Sequence, residues 1–236
     1  MNHRDAFLHQ LKNPYQSTIA FEQFLSKKGC FREGSEVLDI GTGFGGLLHY
    51  FKDKHPCLNF HGIDYDQKNI DGANSFLRQK KTEGISFDYG DWFNLPKEFT
   101  DRFEGIVSVH TLCCFKKIDK AIEKLTEINP KWIAFKSLFY EGPMDVLIHI
   151  RDLDSDEIGD ENPDGDFNIF SLNNTAKIFN SLGYDFFFEP FFPNSTLPKK
   201  ENGQRGTYTM KTELSDFTQF SGPVHLPWYF VVGRKS

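Results

Sequence analysis

The sequence has no apolar run that approaches the about 20 residues of a membrane-spanning helix, so no transmembrane segment is predicted. Its four cysteines include the adjacent Cys113 and Cys114 but no C-x-x-C spacing, which argues against a disulfide framework and against a metal site. No apolar segment follows the first residues, and no secretory signal is predicted there. We therefore expect a cytoplasmic protein with reduced thiols, no bound metal and no membrane partner.

Positive charge is also scarce, since 27 lysines and arginines stand against 33 acidic residues and the formal net charge is −6. Basic clusters such as Lys116-Lys117 are small and scattered. A nucleic acid held through its phosphates requires a locally basic surface, so no nucleic-acid partner is expected. The length of 236 residues, without a repeat or a linker, predicts a single domain over residues 1–236 with a substantial core.

A short apolar run breaks into glycines at Gly41, Gly43 and Gly45, which predicts a strand, a tight turn and the start of a helix. With Gly46 the same residues complete the G-x-G-x-x-G spacing of dinucleotide-binding proteins. Asp39 precedes the first glycine by two residues, where an acid can bind an ammonium group but would repel a pyrophosphate. The acid favours a cationic ligand without phosphate over a nicotinamide dinucleotide.

Three further acidic or basic positions follow predicted strands. Asp64 ends the second strand, Asp91 follows the third (Ile85–Tyr89), and His110 ends the fourth (Ile106–Val109). In open α/β sheets ligands bind at the carboxyl ends of the strands, so we expect these side chains at one site. The interval between the glycine turn and Asp64 is close to the spacing of about 20 residues expected for a ribose-binding acid. A carboxylate can accept hydrogen bonds from both ribose hydroxyls.

In order and sequence these segments resemble the class I S-adenosylmethionine (SAM) dependent methyltransferases, with residues 37–45 similar to the family's motif I. The resemblance covers residues 30–140 well. It implies a Rossmann-like α/β fold, with a seven-stranded mostly parallel sheet, helices on both faces and an antiparallel C-terminal hairpin. It also implies SAM as the cofactor and S-adenosylhomocysteine (SAH) as the product. The cofactor-binding residues that it implies are Asp39, Gly41, Thr42, Gly43, Gly45, Asp64, Tyr65, Asp91, Trp92 and His110.

Several of these residues keep a second interpretation. Tyr65 is suited to packing on the adenine, with Asp66 next to it as a helix cap. Asp91 is either an acceptor for the adenine amino group or a turn acid, and Trp92 is either a wall beside the ring or part of the core. His110 is the first candidate for a general base but serves equally as a wall residue.

The rest of the chain supplies covering elements. A helix over about residues 14–28 is predicted to cover the cofactor pocket, and a cap or lid is predicted over residues 140–170 and 200–222. The other predicted elements are a helix over Ile118–Ile128, a strand over Trp132–Phe139, a helix over Ser171–Leu182 after a serine cap, a strand over Tyr184–Glu189, an extra hairpin of Thr207–Thr212 with Phe217–Ser221, and a last strand over Trp228–Val232.

The segment 152–166 carries eight acidic residues, and its first three imitate the start of a calcium loop. Glu157 stands where that loop requires glycine and Pro163 where it requires glutamate, which argues against calcium. A solvated loop and a charged lid that selects an amine or a hydroxyl-rich substrate both remain. His149, the second candidate for a base, and Arg151 would share one side of a strand and could face such a site.

The predicted function is methyl transfer from SAM to an oxygen or nitrogen of a small-molecule acceptor. A loose likeness of residues 206–209 and 227–230 to methyltransferase-like proteins of surface-polysaccharide synthesis suggests a sugar or a related intermediate. No Asn/Asp-Pro-Pro-aromatic motif follows the fourth strand, which counts against a nucleic-acid base. A nicotinamide-dependent oxidoreductase and a catalytically inactive SAM-binding interaction protein are the alternatives.

Overall fold

The computed structural model describes residues 13–151, 164–199 and 206–235. Most of the acidic segment, residues 152–163, lies outside the described residues, as do residues 200–205 of the predicted cap. The helices are α1 Gln16–Lys27, α2 Gly46–Lys54, α3 Gln67–Lys80, α4 Ile118–Thr126 and α5 Leu172–Ser181. The strands are β1 Glu36–Ile40, β2 Asn59–Asp64, β3 Ile85–Tyr89, β4 Gly105–Val109, β5 Trp132–Tyr140, β6 His149–Arg151, β7 Asp164–Asp166, β8 Phe170–Ser171, β9 Tyr184–Pro190, β10 Thr207–Met210, β11 Thr218–Ser221, β12 Val224–His225 and β13 Trp228–Lys235.

The main sheet has the order β3-β2-β1-β4-β5-β13-β9. Strands β1 to β5 pair in parallel, and β13 runs antiparallel between β5 and β9. The predicted Rossmann-like sheet with an antiparallel C-terminal hairpin is therefore confirmed. Within the described residues the sheet has eight strands rather than seven, because β8 pairs in parallel with the end of β5.

Apolar side chains cover both faces of the sheet. On one face Phe21 and Phe24 of α1 pack on Phe230 of β13, with ring centroids 5.3 and 5.8 Å apart. On the other face Phe135 of β5 packs against Phe179 of α5. All but the last residue of β5 are buried, as expected of a central strand covered on both sides.

The chain's turn chemistry sets the ends of the helices. The Asp66 carboxylate accepts from the amide of Lys68 at the start of α3, and Ser171 accepts from the amide of Asn174 at the start of α5. Gly29 follows α1 with φ of +64°, a left-handed conformation that glycine adopts at little cost. The contacts of Asp66 and Ser171 confirm the two predicted caps.

Two small antiparallel sheets lie beside the main one. Strands β10, β11 and β12 form the extra C-terminal hairpin and its extension, with shorter strands than predicted. Strands β6 and β7 form a two-stranded hairpin after β5. In the described part of the chain, no helix has both the length and the apolar character needed to cross a membrane.

Candidate active site

The glycine turn after β1 is held against the end of β2. The amides of Gly41 and Thr42 donate to the carbonyl of Ile63 at 2.8 and 3.0 Å. A Cβ on Gly41 would lie 2.2 Å from Thr111 Oγ1, and one on Gly45 would lie 2.2 Å from the ring of Phe87. Glycines at these two positions bring the backbone of the turn against neighbouring strands, which no larger residue allows.

The Asp64 carboxylate anchors this turn. It is 5% exposed and accepts from the Gly43 amide at 2.8 Å, from the Asp66 amide at 2.9 Å and from Asn69 Nδ2 at 3.3 Å. Sequence alone assigned Asp64 to a ribose, and the structure adds a role in joining β2 to the turn. A carboxylate has about four acceptor positions, so capacity for a ligand hydroxyl remains.

Asp39 lies under the turn and is 2% exposed. Its Oδ1 atom has no hydrogen-bond partner among the described residues. Burial raises the pKa of Asp39 to about 7, an effect that the Thr42 hydroxyl opposes and the Asp64 charge increases. A buried acceptor without a donor is costly, and an ammonium group from a ligand would satisfy it. The turn and Asp39 therefore fit the amino-acid part of SAM.

His110 lies at the end of β4 and lines a pocket. Its backbone is left-handed, with φ of +66°, and its Nε2 atom lies 2.6 Å from Lys136 Nζ. The ring packs against Trp228, with the ring centroids 4.5 Å apart and the planes tilted by 33°. Desolvation by the surrounding protein and, secondly, the Lys136 charge hold the pKa of His110 well below its ordinary value. The imidazole is therefore neutral at physiological pH and retains a nitrogen that can accept a proton.

Lys136 of β5 is the residue that the sequence analysis missed. It is 5% exposed, and its Nζ donates to Ser17 Oγ at 2.8 Å. Burial lowers the pKa of Lys136 to about 7. A signal was present in the sequence, because Lys136 is the only charged residue in a strand that is apolar apart from Ser137 and the terminal Tyr140. Ionisable groups whose pKa is strongly perturbed cluster at functional sites.

These residues line a pocket of about 540 Å³. The start of α1 contributes Tyr15, Gln16 and Ser17. His110 lines this pocket, and Thr111, the next residue, lies against Gly41 of the glycine turn. Its volume is typical of small-molecule sites.

A larger cavity of about 600 Å³ adjoins this pocket. Four residues, Phe191, Pro193, Gln219 and Trp228, line both spaces. Most of the larger cavity is apolar, with Met144, Val146, Ile169, Leu214 and Leu226 among its walls. The space beside Lys136 and the apolar cavity therefore meet at these four residues, one of which, Gln219, belongs to the C-terminal hairpin sheet.

The residues expected at the adenine have other contacts. Trp92 is 4% exposed, and its Nε1 donates to the carbonyl of Ala121 at 2.9 Å. Asp91 accepts from the amide of Phe93 at 2.9 Å, as a turn acid does. Tyr65 is 75% exposed beside the end of β2. The contacts of Trp92 match the core role left open by the sequence, whereas Tyr65 has a free face for a ligand.

His149 is not brought together with His110. It lies on the β6–β7 hairpin, where its Nδ1 is 3.0 Å from Asp166 Oδ1 and its side chain is 61% exposed. His149 lines neither of the two spaces described above. No group of three or more metal-ligating side chains occurs among residues 13–151, 164–199 and 206–235.

Comparison with known proteins identifies the fold. Residues 31–139 match the family model of a methyltransferase domain. Magnesium protoporphyrin IX methyltransferase from Synechocystis PCC 6803, solved with bound SAM, superposes with a TM-score of 0.58 at 11% identity, over 100% of this chain and 85% of that one. The chain has the fold of the class I SAM-dependent methyltransferases, and the resemblance seen in the sequence is confirmed.

Two curated proteins match over shorter segments. A release factor glutamine methyltransferase of Aliivibrio fischeri is 32% identical over 72 residues, which are 30% of this chain. A fatty-acid O-methyltransferase of Mycolicibacterium smegmatis is 28% identical over 97 residues, or 41% of this chain. The matches span only 25% and 34% of those two proteins.

Proposed function

We propose that this protein transfers a methyl group from SAM to an oxygen or nitrogen of a small-molecule acceptor. The observation that carries the proposal is the buried, unpartnered Oδ1 of Asp39 beneath a turn whose glycines leave no room for a side chain. This combination calls for a ligand that brings a cation and lies against the backbone. The methyltransferase domain match and a similar structure with bound SAM support the same cofactor.

The chain's residues divide the binding work. Asp39 would bind the ammonium group, residues 41–45 would face the rest of the methionine part, and Asp64 would accept from the ribose. Tyr65 and Asp91 remain candidates for the adenine, with Trp92 supporting them from the core. When bound, SAM supplies an electrophilic methyl carbon on a sulfonium, so alignment of the acceptor is the main task left to the protein.

His110 is the candidate base in this proposal. Its low pKa leaves it neutral, and a neutral imidazole can accept the proton of a hydroxyl or an ammonium. His149 stays a weaker candidate because it lies on a separate hairpin.

The acceptor class rests on the pocket. The names of the two curated relatives point to a glutamine of a protein in one case and to a fatty acid in the other. The pocket of about 540 Å³ at His110 favours a small molecule. The sugar suggested by the sequence stays a prediction, as does the cytoplasmic location.

The test is isothermal titration calorimetry with SAH and, in parallel, with NADH. We expect saturable binding of SAH alone, and we expect Asp39→Asn to weaken it at least tenfold, since a neutral amide loses the ion pair with the ammonium (roughly 1.4 kcal/mol or more). Asp185→Asn, the same change at an exposed site on β9, serves as the matched control. Binding of NADH alone would support an oxidoreductase, and binding of neither would support an interaction protein.

A further inference from the structure

The Lys136 ammonium has only neutral partners. Its Nζ contacts Ser17 Oγ and His110 Nε2 at 2.8 and 2.6 Å and lies 4.9 Å from the ring centroid of Trp228. Within the described ranges, no carboxylate forms an ion pair with it. Buried cations are normally paired, because an unpaired charge in a protein interior is costly.

The titratable groups around Lys136 do not supply a negative charge. His110, at the end of β4, is neutral or positive. Cys113 lies in the short turn of residues 112–114 after β4, and its contact with Cys114 and its burial keep the pKa of Cys113 well above the ordinary value. The thiol is therefore uncharged. Trp228 contributes only the face of its ring, which stabilises a cation less than a carboxylate does.

The space in front of Lys136 borders the apolar cavity. Trp228 and Phe191 line both spaces, so a ligand held at Lys136 lies next to apolar walls. The carboxylate on the larger cavity's lining belongs to Glu141, which accepts from the Tyr229 hydroxyl at 3.1 Å. The combined site is positive at one end and apolar along most of its length.

We propose that Lys136 binds the carboxylate of an acid whose apolar body occupies the adjoining cavity. This binding does not depend on the proposed function. The ammonium and the Ser17 hydroxyl supply donors to the two carboxylate oxygens. The charge of the head group selects the acid over an alcohol or an ester of the same length.

The test is calorimetric titration with decanoate, below its micelle concentration, of the full chain with and without SAH. We expect decanoate to bind with an affinity at least about tenfold higher than that of 1-decanol or methyl decanoate. These two probes keep the apolar body but lack the charge. Equal affinity for the three probes would overturn the proposal, since it would indicate apolar binding alone. Tighter binding of decanol than of decanoate would also overturn the proposal, because it would indicate a neutral ligand.

Lys136→Met should lower the affinity for decanoate about tenfold or more and leave the affinity for decanol nearly unchanged. Lys116→Met, at an exposed lysine, is the matched control and should change neither. Lys136→Arg retains the charge and should keep a preference for decanoate over decanol, which separates a lost charge from a damaged fold. An unchanged decanoate affinity in a folded Lys136→Met protein would refute the assignment. If the unmodified protein does not bind SAH, that result would count against the proposed function and not against the binding of decanoate.

Discussion

The Asp64 carboxylate accepts a hydrogen bond from the Gly43 amide at 2.8 Å, which joins the end of one central strand to the turn after its neighbour. The same carboxylate accepts from the amide of Asp66, two residues further along the chain. The acid that the sequence assigns to a ribose therefore also shapes the turn beside it. If Asp64 also binds the ribose, as proposed, ligand affinity and local stability depend on one side chain.

Replacing Asp64 with alanine should weaken SAH binding by about 1–3 kcal/mol, roughly 5- to 150-fold, because the ribose hydroxyls lose their acceptor. The melting temperature should fall as well, since two backbone amides lose theirs. Asn69→Ala removes only the 3.3 Å contact to Asp64 and serves as the control, with a smaller effect on both quantities. Calorimetry and thermal unfolding measure the two effects. A lower melting temperature with unchanged SAH affinity would make Asp64 a structural residue alone.

Asp39 should make the ligand-free protein less stable as the pH rises. Its pKa is about 7 in the folded protein and near 3.8 when unfolded, so between those values the folded state holds the extra proton. The stability from this group is fully present below about pH 4 and is lost as the pH rises to about 7, with a total change of about 4 kcal/mol.

Asp39→Asn removes this titration. We expect the variant to gain free energy of unfolding relative to the unmodified protein as the pH is raised from 5 to 8, while it binds SAH more weakly. Urea unfolding at several pH values measures the difference. Asp185→Asn, the same change at an exposed carboxylate on β9, is the control. If the difference in unfolding free energy between Asp39→Asn and the unmodified protein does not change with pH, Asp39 is not a buried acid with a raised pKa.

The interior position of Trp92 gives a third prediction. Trp92→Phe should lower the free energy of unfolding by about 1–3 kcal/mol, because the carbonyl of Ala121 loses its donor and the packing against Phe135 is reduced. SAH affinity should change less than about twofold. Asp91→Asn is the companion variant, and its SAH affinity tests whether the neighbouring carboxylate binds the adenine. Weaker SAH binding with unchanged stability in Trp92→Phe would restore the indole as a cofactor contact.

The sequence was sufficient to predict the order and bounds of the central strands, and β3 was predicted to the residue. Strand length, glycine turns and caps are local properties, so local patterns define them. The positions of Trp92 and Lys136 depend on distant residues. Trp92 binds Ala121 on the next helix, and Lys136 contacts Ser17, which lies 119 residues earlier. The apolar run around Lys136 indicates burial of the lysine, but no local pattern identifies a partner that is distant along the chain.

His110→Asn should separate the two roles left open for the imidazole. Asparagine tolerates the left-handed backbone at this position, so the fold should survive the change. If His110 is the base, turnover of an acceptor identified with labelled SAM should fall about 100-fold or more, with SAH affinity within about twofold. His110→Gly, which also fits the backbone, is the second variant. A loss of SAH affinity as large as the loss of turnover would make His110 a wall of the cofactor site.

The affinity for decanoate should depend on pH through Lys136. The pKa of Lys136 is about 7 without a ligand, and a bound carboxylate stabilises the protonated amine. Binding of decanoate above about pH 7 must therefore be accompanied by uptake of a proton. Affinity should be greatest below about pH 7, where decanoate itself is still ionised, and should fall about tenfold per pH unit at higher pH. Titrations at about pH 6.5, 7.5 and 8.5 measure this slope. Neither variant should show this pH dependence. Lys136→Met should bind decanoate weakly at every pH, and Lys136→Arg should keep the affinity at every pH because a guanidinium stays charged throughout this range. A slope that persists in Lys136→Met would assign the titration to His110 or to another group.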